Sequence, residues 1–294
     1  MRTSGNGRTP NRLTARADPR LHDQLRRLAR DQRMVFFAGL PGTGKSLLVH
    51  QLAHLAEALG RTVHLLQWDV ARPVFEASVA GRRYPIVGGV THNVIRKAIG
   101  AWVRDAVVRW DRQHPDPAHL LVGETPLVGH RFIELVRRLG DAAEPLLAAT
   151  STRFAICVPS RRLRRFLEEE RERRTVRPTH RQELEDARSS VLRDLWRQLV
   201  AVAPSLGLSP APDAPYDPTL YQHVYERLLC HRHTEVVSLA TRLPAGARSV
   251  HDFAIPRRDL VPDPDETDGF IREIETRYPD PEALQREVDR WYLV

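Results

Sequence analysis

Residues 34–60 read MVFFAGLPGTGKSLLVHQLAHLAEALG, and this stretch decides the fold. Its first part, residues 34–38, is a continuous apolar run typical of a strand that is buried on both faces of a parallel sheet. A glycine-rich loop follows, and apolar residues then recur at helical spacing from Leu48 to Leu59, until Gly60 ends the helix. The predicted order is therefore strand, glycine-rich loop and helix.

The loop, residues 39–46 (GLPGTGKS), has the spacing of a phosphate-binding loop. Its three glycines let successive backbone N–H groups turn toward phosphate oxygens, which side chains would obstruct. Lys45 offers a positive charge to the β- and γ-phosphates, Ser46 offers a hydroxyl ligand to Mg2+, and the helix directs its positive end at the anion. The strand and the helix on either side argue against a chance match. We expect a nucleoside triphosphate to contact Gly39, Gly42, Thr43, Gly44, Lys45, Ser46 and Leu47.

In residues 34–59 the chain resembles the P-loop NTPase superfamily. The resemblance implies ATP and Mg2+ as cofactors and an acidic residue at the end of a later strand. Glu124, after the apolar run of residues 119–123, is similar to that residue, although many members carry Asp there. We expect Glu124 to bind Mg2+, directly or through water, or to orient an attacking water. The alternative is an acid that only caps the next turn.

Along the rest of the chain, apolar runs alternate with amphipathic helical patterns. This alternation predicts an α/β fold with a parallel sheet of about five strands flanked by helices, as in P-loop kinases. Thr91 is expected to cap the helix whose apolar face runs to Trp110. The remaining strands are expected at residues 62–67, 119–123, 153–158 and 235–239, and further helices near residues 21–28, 132–139 and 184–199, the last opened by a capping box of Thr179 and Gln182.

Three further segments complete the predicted organisation. Residues 1–18 lack periodicity and are expected to form a flexible basic tail. Residues 19–260 are assigned to the nucleotide-binding domain, with an insertion at about 160–215, and residues 261–294 to a C-terminal helical extension. Asp280-Pro281 opens the last helix of that extension.

Motifs of other branches are missing from the sequence, which contains neither Asn-Lys-x-Asp nor Leu-Ser-Gly-Gly-Gln. The remaining resemblance is to small-molecule kinases, and it implies an acceptor bound near the end of the second strand. Asp69 stands there, and it is expected to take the proton of an acceptor hydroxyl or to hold that hydroxyl in line. An ordinary solvated acid is the alternative. Arg72, Arg96 and Lys97 are candidates to bind an anionic acceptor, although each is also interpretable as a surface charge.

The same resemblance implies an Arg-bearing lid after the fourth strand, where residues 161–177 interrupt the alternation with a run of Arg and Glu. The guanidinium group bridges two phosphate oxygens, and a closed lid excludes water. Arg162 and Arg165 are therefore candidate catalytic residues. The alternative is a solvated helix in which Arg and Glu pair at (i, i+4) spacing.

The composition sets limits on partners and location. The formal charge of +8 and the isoelectric point near 10.1 favour anionic ligands. Lys45 and Lys97 are the only lysines. The presence of one of them in the loop is therefore stronger evidence for an anion site than the excess of arginine. Cys157 and Cys230 form no disulfide framework and are expected to be core thiols. The histidines include one close pair, His231 and His233, without other ligands, so no histidine metal site is expected. The chain has no apolar run that would span a membrane and no secretory signal pattern, so a cytoplasmic location is expected.

Two functions from different classes fit these observations. The first is an ATP-dependent phosphotransferase, a kinase that moves the γ-phosphate to a small-molecule acceptor that the sequence does not identify. The second is a regulatory P-loop ATPase or switch protein, in which Glu124 positions water and the basic surface binds a protein or a nucleic acid. A nucleic-acid partner is the less favoured of these, because no base-reading motif is present.

Overall fold

The computed structural model describes residues 18–176, 189–240 and 258–294. Within these ranges the chain forms a parallel sheet with helices on both faces, which confirms the predicted α/β class. The sheet has six strands rather than about five, because the two-residue β6 extends one edge. The strands are β1 (Met34–Ala38), β2 (Thr62–Leu66), β3 (His119–Thr125), β4 (Thr152–Pro159), β5 (Thr234–Leu239) and β6 (Arg258–Asp259).

The strands lie in the order β5-β4-β1-β3-β2-β6, and every neighbouring pair is parallel. The helices are α1 (Pro19–Asp31), α2 (Lys45–Ala58), α3 (Trp68–Ala77), α4 (Asn93–Gln113), α5 (Glu144–Leu147), α6 (Arg161–Val176), α7 (Ser189–Val202), α8 (Pro218–Leu228), α9 (Pro264–Arg277) and α10 (Pro281–Asp289).

Strand β1 lies at the centre and contributes to a hydrophobic core on each face of the sheet. Met34, Phe36 and Ala38 face the larger core, built with α3, α4 and α7 to α10. Val35 and Phe37 face the smaller core, built mainly with α1 and α2. Side chains alternate along a strand, so five apolar residues in succession are required where both faces are covered. The apolar run at residues 34–38 is therefore buried on both faces of the sheet, as the sequence predicts.

The register between β1 and β3 places the carboxyl ends of these two strands side by side. Phe37 pairs with Glu124, and Ala38 pairs with Thr125. Strand β3 is thus two residues longer than its apolar run predicts, and Glu124 lies inside the strand rather than after it. Because the carboxyl ends of parallel strands lie at one edge of a sheet, Glu124 is placed beside the glycine-rich loop that follows β1.

Three local predictions are wrong. Residues 132–139 form no α-helix but a single 3-10 turn at Ile133–Leu135, because the preceding loop takes left-handed backbone conformations. The N-cap of α4 is His92, whose Nδ1 accepts from the backbone N–H of Val94 at 3.2 Å, whereas the Thr91 hydroxyl donates to Glu76. Cys230 is exposed, so only Cys157 is a core thiol.

One further prediction is confirmed, and two others concern residues that the structure does not describe. The Asp280 cap of α10 is confirmed by its bonds to the N–H groups of Glu282 and Ala283. The tail at residues 1–17 and the capping box of Thr179 and Gln182 lie outside the described residues. Among the helices that the structure describes, none is both long enough and apolar enough to cross a membrane.

Candidate functional site

The glycine-rich loop leads from β1 directly into α2. Gly42 and Gly44 have φ angles of 74° and 89°, in the left-handed region that side chains disfavour. Gly44 is the N-cap of α2 and has no capping side chain, and Lys45 is the first helical residue. The first turn of a helix presents backbone N–H groups that have no partner within the helix, together with the positive end of the helix dipole. This end of α2 is therefore suited to bind an anion.

Lys45 is almost completely buried under the loop. Its Nζ donates to the carbonyl oxygen of Leu40 at 2.9 Å, and the hydroxyl of Thr43 donates to the same oxygen at 2.8 Å. Burial lowers the pKa of Lys45, while the negative charges of Glu124 and Asp69 raise it. The carbonyl of Leu40 thus holds the lysine at the loop, and the two carboxylates favour its charged form.

Glu124 is the buried acid of this site, with 7% of its surface exposed. Burial raises the pKa of Glu124, the charge of Lys45 lowers it, and that of Asp69 raises it further. A carboxylate so far from water requires an opposite charge nearby. Lys45 supplies this charge, so the predicted acid and the predicted lysine are brought together.

Asp69 lies in the first turn of α3, one residue after the helix begins, and its side chain is exposed. Its charge acts on Lys45, on Glu124 and on Arg131. The structure therefore places Asp69 in the same charge cluster as the loop. The sequence did not single out Arg131, which is the fourth member of this cluster.

Arg131 is carried by a loop of unusual backbone conformation that follows β3. Leu127, His130 and Phe132 all have φ angles near 60°, where residues other than glycine are rare. The backbones of Leu127 and Arg131 are joined by two hydrogen bonds of 3.0 and 3.2 Å. Such conformations cost about 1–3 kcal/mol each and persist only where surrounding packing imposes them, which is common at functional sites.

Two further arginines, Arg72 and Arg96, lie near Arg131. Arg96 donates to the carbonyl of Gly129 at 2.9 Å, which ties α4 to the loop. Burial and the charge of Arg131 lower the pKa of Arg96 to about 10. The charge of Arg72 acts on Arg131 from α3, while Arg72 itself pairs with Glu76 at 3.1 Å. Arg72 and Arg96 therefore both lie within range of the charge of Arg131, which in turn interacts with that of Asp69.

The interpretation of Lys97 as a surface charge is wrong, while its role as an acceptor contact stays a prediction. Lys97 is buried and pairs with Glu134 at 3.1 Å and with Glu287 at 3.4 Å. Nε2 of His130 lies 2.7 Å from the same Glu134 oxygen. Burial alone would raise the pKa of Glu134, but His130 and Lys97 lower it to about 2. This ion-pair group supports the loop that carries Arg131.

Helices α7 and α8 cover the glycine-rich loop. The hydroxyl of Tyr221 accepts a hydrogen bond of 2.8 Å from the backbone N–H of Leu40. A Cβ atom at Gly39 would lie 2.8 Å from that hydroxyl, and one at Gly42 would lie 3.1 Å from Leu192. A side chain at either position would therefore press against the helices that cover the loop.

The Arg-rich helix α6 follows β4, as the sequence predicts. Arg162 and Arg165, the two candidate catalytic residues, are exposed on it. Arg164 is the buried arginine: it pairs with Glu168 at 2.6 Å and donates to the carbonyl of Leu192 at 3.1 Å. The expected (i, i+4) pairing is thus present at Arg164. The closure of a lid by Arg162 and Arg165 stays a prediction.

Sequence reasoning did not single out Arg131 or Tyr221 as site residues, because neither has a local signal. Arg131 lies just before the segment predicted as a helix, and Tyr221 lies 181 residues from its partner Leu40. The burial of Arg164 was not predicted either, although its (i, i+4) pairing with Glu168 was. A comparison of the chain with family models, with curated proteins and with solved structures finds no match in any of the three.

Proposed function

We propose that this protein is a P-loop phosphotransferase that moves the γ-phosphate of ATP to a small, negatively charged acceptor with a hydroxyl group. The observation that carries the proposal is that the buried Lys45 and the buried Glu124 lie at the same edge of the sheet and act on each other through their charges, with Asp69 and Arg131 in the same charge cluster. Phosphoryl transfer depends on positioning and on charge stabilisation more than on covalent chemistry by the protein. This arrangement supplies both.

The residues at the loop fit a nucleotide with Mg2+. Gly42 and Gly44 take left-handed backbone conformations in the loop, and α2 begins at Lys45. A hydroxyl and a carboxylate, those of Ser46 and Glu124, are the oxygen ligands that Mg2+ prefers. The ion would neutralise charge on the β- and γ-phosphates. Lys45 would exchange its bond to Leu40 for the phosphate oxygens.

The acceptor would bind over the carboxyl ends of the strands, at Asp69. The exposed carboxylate of Asp69 would hold the acceptor hydroxyl in line with the γ-phosphate or take its proton. Arg131, whose charge interacts with that of Asp69, would attract an acceptor that carries negative charge, and the charges of Arg72 and Arg96 near Arg131 would add to this attraction. Arg131 would stabilise charge that spreads over the transferred group.

The test is ADP release from ATP and Mg2+, measured with and without a pooled extract of small metabolites. The proposal expects the extract to stimulate release, and it expects Lys45→Ala and Asp69→Asn to abolish the stimulation. Asp213→Asn, at an exposed acid outside the charge cluster, is the matched control and should behave as the unaltered chain. Fractionation of the extract would then identify the acceptor.

A regulatory ATPase would give a different result. Release would then be slow, unaffected by the extract and indifferent to Asp69→Asn, while Glu124→Gln would still reduce it. That outcome would contradict the phosphotransferase and favour the switch protein.

A further inference from the structure

A group of three histidines lies at the opposite end of the sheet from the glycine-rich loop. Among the described residues, His64, His114 and His119 form the one group of metal-ligating side chains whose ligand atoms all lie close together, within 4.8 Å of one another. Nε2 of His64 is 3.0 Å from Nδ1 of His119. The imidazole rings of His64 and His114 have their centres 4.3 Å apart.

Each of these histidines is held by regular backbone structure. His64 lies in the middle of β2, where it pairs with Leu121 on one side and with Arg258 on the other. His119 is the first residue of β3, and His114 ends α4 with its N–H bonded to the carbonyl of Trp110 at 3.0 Å. The three backbones are therefore fixed independently of any bond between the rings.

Arg33 joins the two segments that carry His114 and His119. Its guanidinium donates to the carbonyl of His119 at 2.9 Å and to the carbonyl of His114. It also lies 4.4 Å from the ring centre of Trp110. Arg61 adds a second bond to the carbonyl of His119, at 2.9 Å. A ligand set that outer residues orient in this way needs little rearrangement to bind an ion.

We propose that His64, His114 and His119 bind a first-row transition metal ion, with Zn2+ as the expected occupant. Three imidazole nitrogens are a recurring zinc ligand set, with Zn–N distances of about 2.0–2.1 Å and a fourth position open. Tetrahedral geometry at those distances places neighbouring nitrogens about 3.3 Å apart. The observed separations, 3.0 Å between His64 and His119 and at most 4.8 Å within the group, lie on either side of this value.

A pocket adjoins two of the three histidines. This pocket has a volume of about 300 Å3, and its lining includes His64, His114, Trp110, Arg258 and Asp259. A small ligand in this pocket would have access to an ion held by the histidines.

The metal site is separate from the proposed nucleotide site. His119 opens β3 and Glu124 lies five residues further along the same strand, which corresponds to about 17 Å at the rise of an extended strand. Metal binding at the histidines is thus testable without any measurement of ATP turnover, and either site can fail without the other.

The experiment titrates the untagged full-length chain, freed of metal with a chelator, first with Co2+ and then with Zn2+ in competition. The visible absorption of bound Co2+ reports its coordination geometry. The proposal expects one ion per chain with a tetrahedral spectrum. His114→Ala and His119→Ala, at half-buried positions, should each weaken binding on the order of 100-fold.

The control is the double variant His231→Ala with His233→Ala, which removes the close pair of exposed histidines outside the group. It should leave the Co2+ spectrum and the affinity unchanged. The proposal is overturned if the unaltered chain binds Co2+ and Zn2+ no more tightly than His114→Ala, or if the spectrum is octahedral. It is also overturned if the control variant loses the ion.

Discussion

Lys45 and Glu124 are each other's principal charge partner. Among the charges that act on Lys45, that of Glu124 raises its pKa most, and Lys45 is the charge that lowers the pKa of Glu124. Burial alone favours the neutral form of both side chains. The charge of each residue opposes this effect of burial on the other, so a change at either residue alters the protonation of its partner.

Glu124→Gln tests the acid of this pair. The substitution keeps the size of the side chain and removes the proposed ligand of Mg2+ together with the charge that acts on Lys45. We expect ADP release to fall on the order of 100-fold. ATP binding in the absence of Mg2+ should be retained, as measured by calorimetry. Glu57→Gln, at a more exposed acid of α2, is the control and should leave both quantities unchanged. Equal turnover in Glu124→Gln and the control would contradict the role.

Arg131→Ala tests the loop that follows β3. If Arg131 binds the acceptor near Asp69, the KM for the acceptor should rise about tenfold or more, because a hydrogen bond to a charged group contributes about 1.5–3 kcal/mol. The KM for ATP should change much less. Arg138→Ala removes an exposed arginine a few residues further along and should have no effect. A rise in the KM for ATP alone would place Arg131 on the nucleotide instead.

Tyr221→Phe tests the contact between α8 and the glycine-rich loop. The backbone N–H of Leu40 would lose the hydroxyl that accepts its hydrogen bond. A buried donor left without a partner costs about 1–3 kcal/mol, and we expect the free energy of unfolding to fall by that amount in a denaturant titration. Tyr292→Phe, at a half-buried position near the C-terminus, should change it by much less. An unchanged stability would mean that water replaces the hydroxyl.

The buried Glu134 is expected to make the free energy of unfolding depend on pH. Its pKa in the folded protein is about 2, below the ordinary value of 4.5, because His130 and Lys97 outweigh the opposing effect of burial. The unfolded chain therefore takes up the proton first as the pH falls. The stability that the ionised carboxylate contributes is complete above about pH 4.5 and is lost as the pH falls toward 2.

The measurement is the free energy of unfolding between pH 7 and pH 2 for the unaltered chain and for Glu134→Gln. We expect the substitution to cost about 3 kcal/mol at pH 7, since it breaks a buried ion pair, and the difference to shrink as the pH falls. Glu282→Gln, which is exposed, should follow the unaltered chain. A difference that is the same at every pH would contradict the role of the Glu134 charge.

Local patterns predicted the centre of the fold and the loop. The apolar run of β1 and the glycine pattern after it are properties of neighbouring residues, so the sequence suffices to place Lys45 at the start of α2. Strand alternation likewise predicted that Glu124 and Asp69 would lie near the same edge of the sheet. The charge cluster that contains all three residues agrees with that expectation.

Features that depend on tertiary contacts were not predictable in this way. Residues 132–139 have helical spacing, but the loop before them takes left-handed conformations at Leu127, His130 and Phe132, and it carries Arg131, whose charge interacts with that of Asp69. The histidine group brings together β2, the end of α4 and the start of β3, and His64 and His119 are 55 residues apart in the chain. No spacing motif relates such residues, so only the fold places them together.

The most direct test of the account is a calorimetric titration of the chain with ATP and Mg2+, compared with Lys45→Ala and with the control Arg138→Ala. The account predicts one nucleotide per chain, an affinity at least about 100-fold weaker in Lys45→Ala, and no change in the control. Absence of binding to the unaltered chain, or equal affinity in Lys45→Ala, would contradict the assignment of the glycine-rich loop as a nucleotide site.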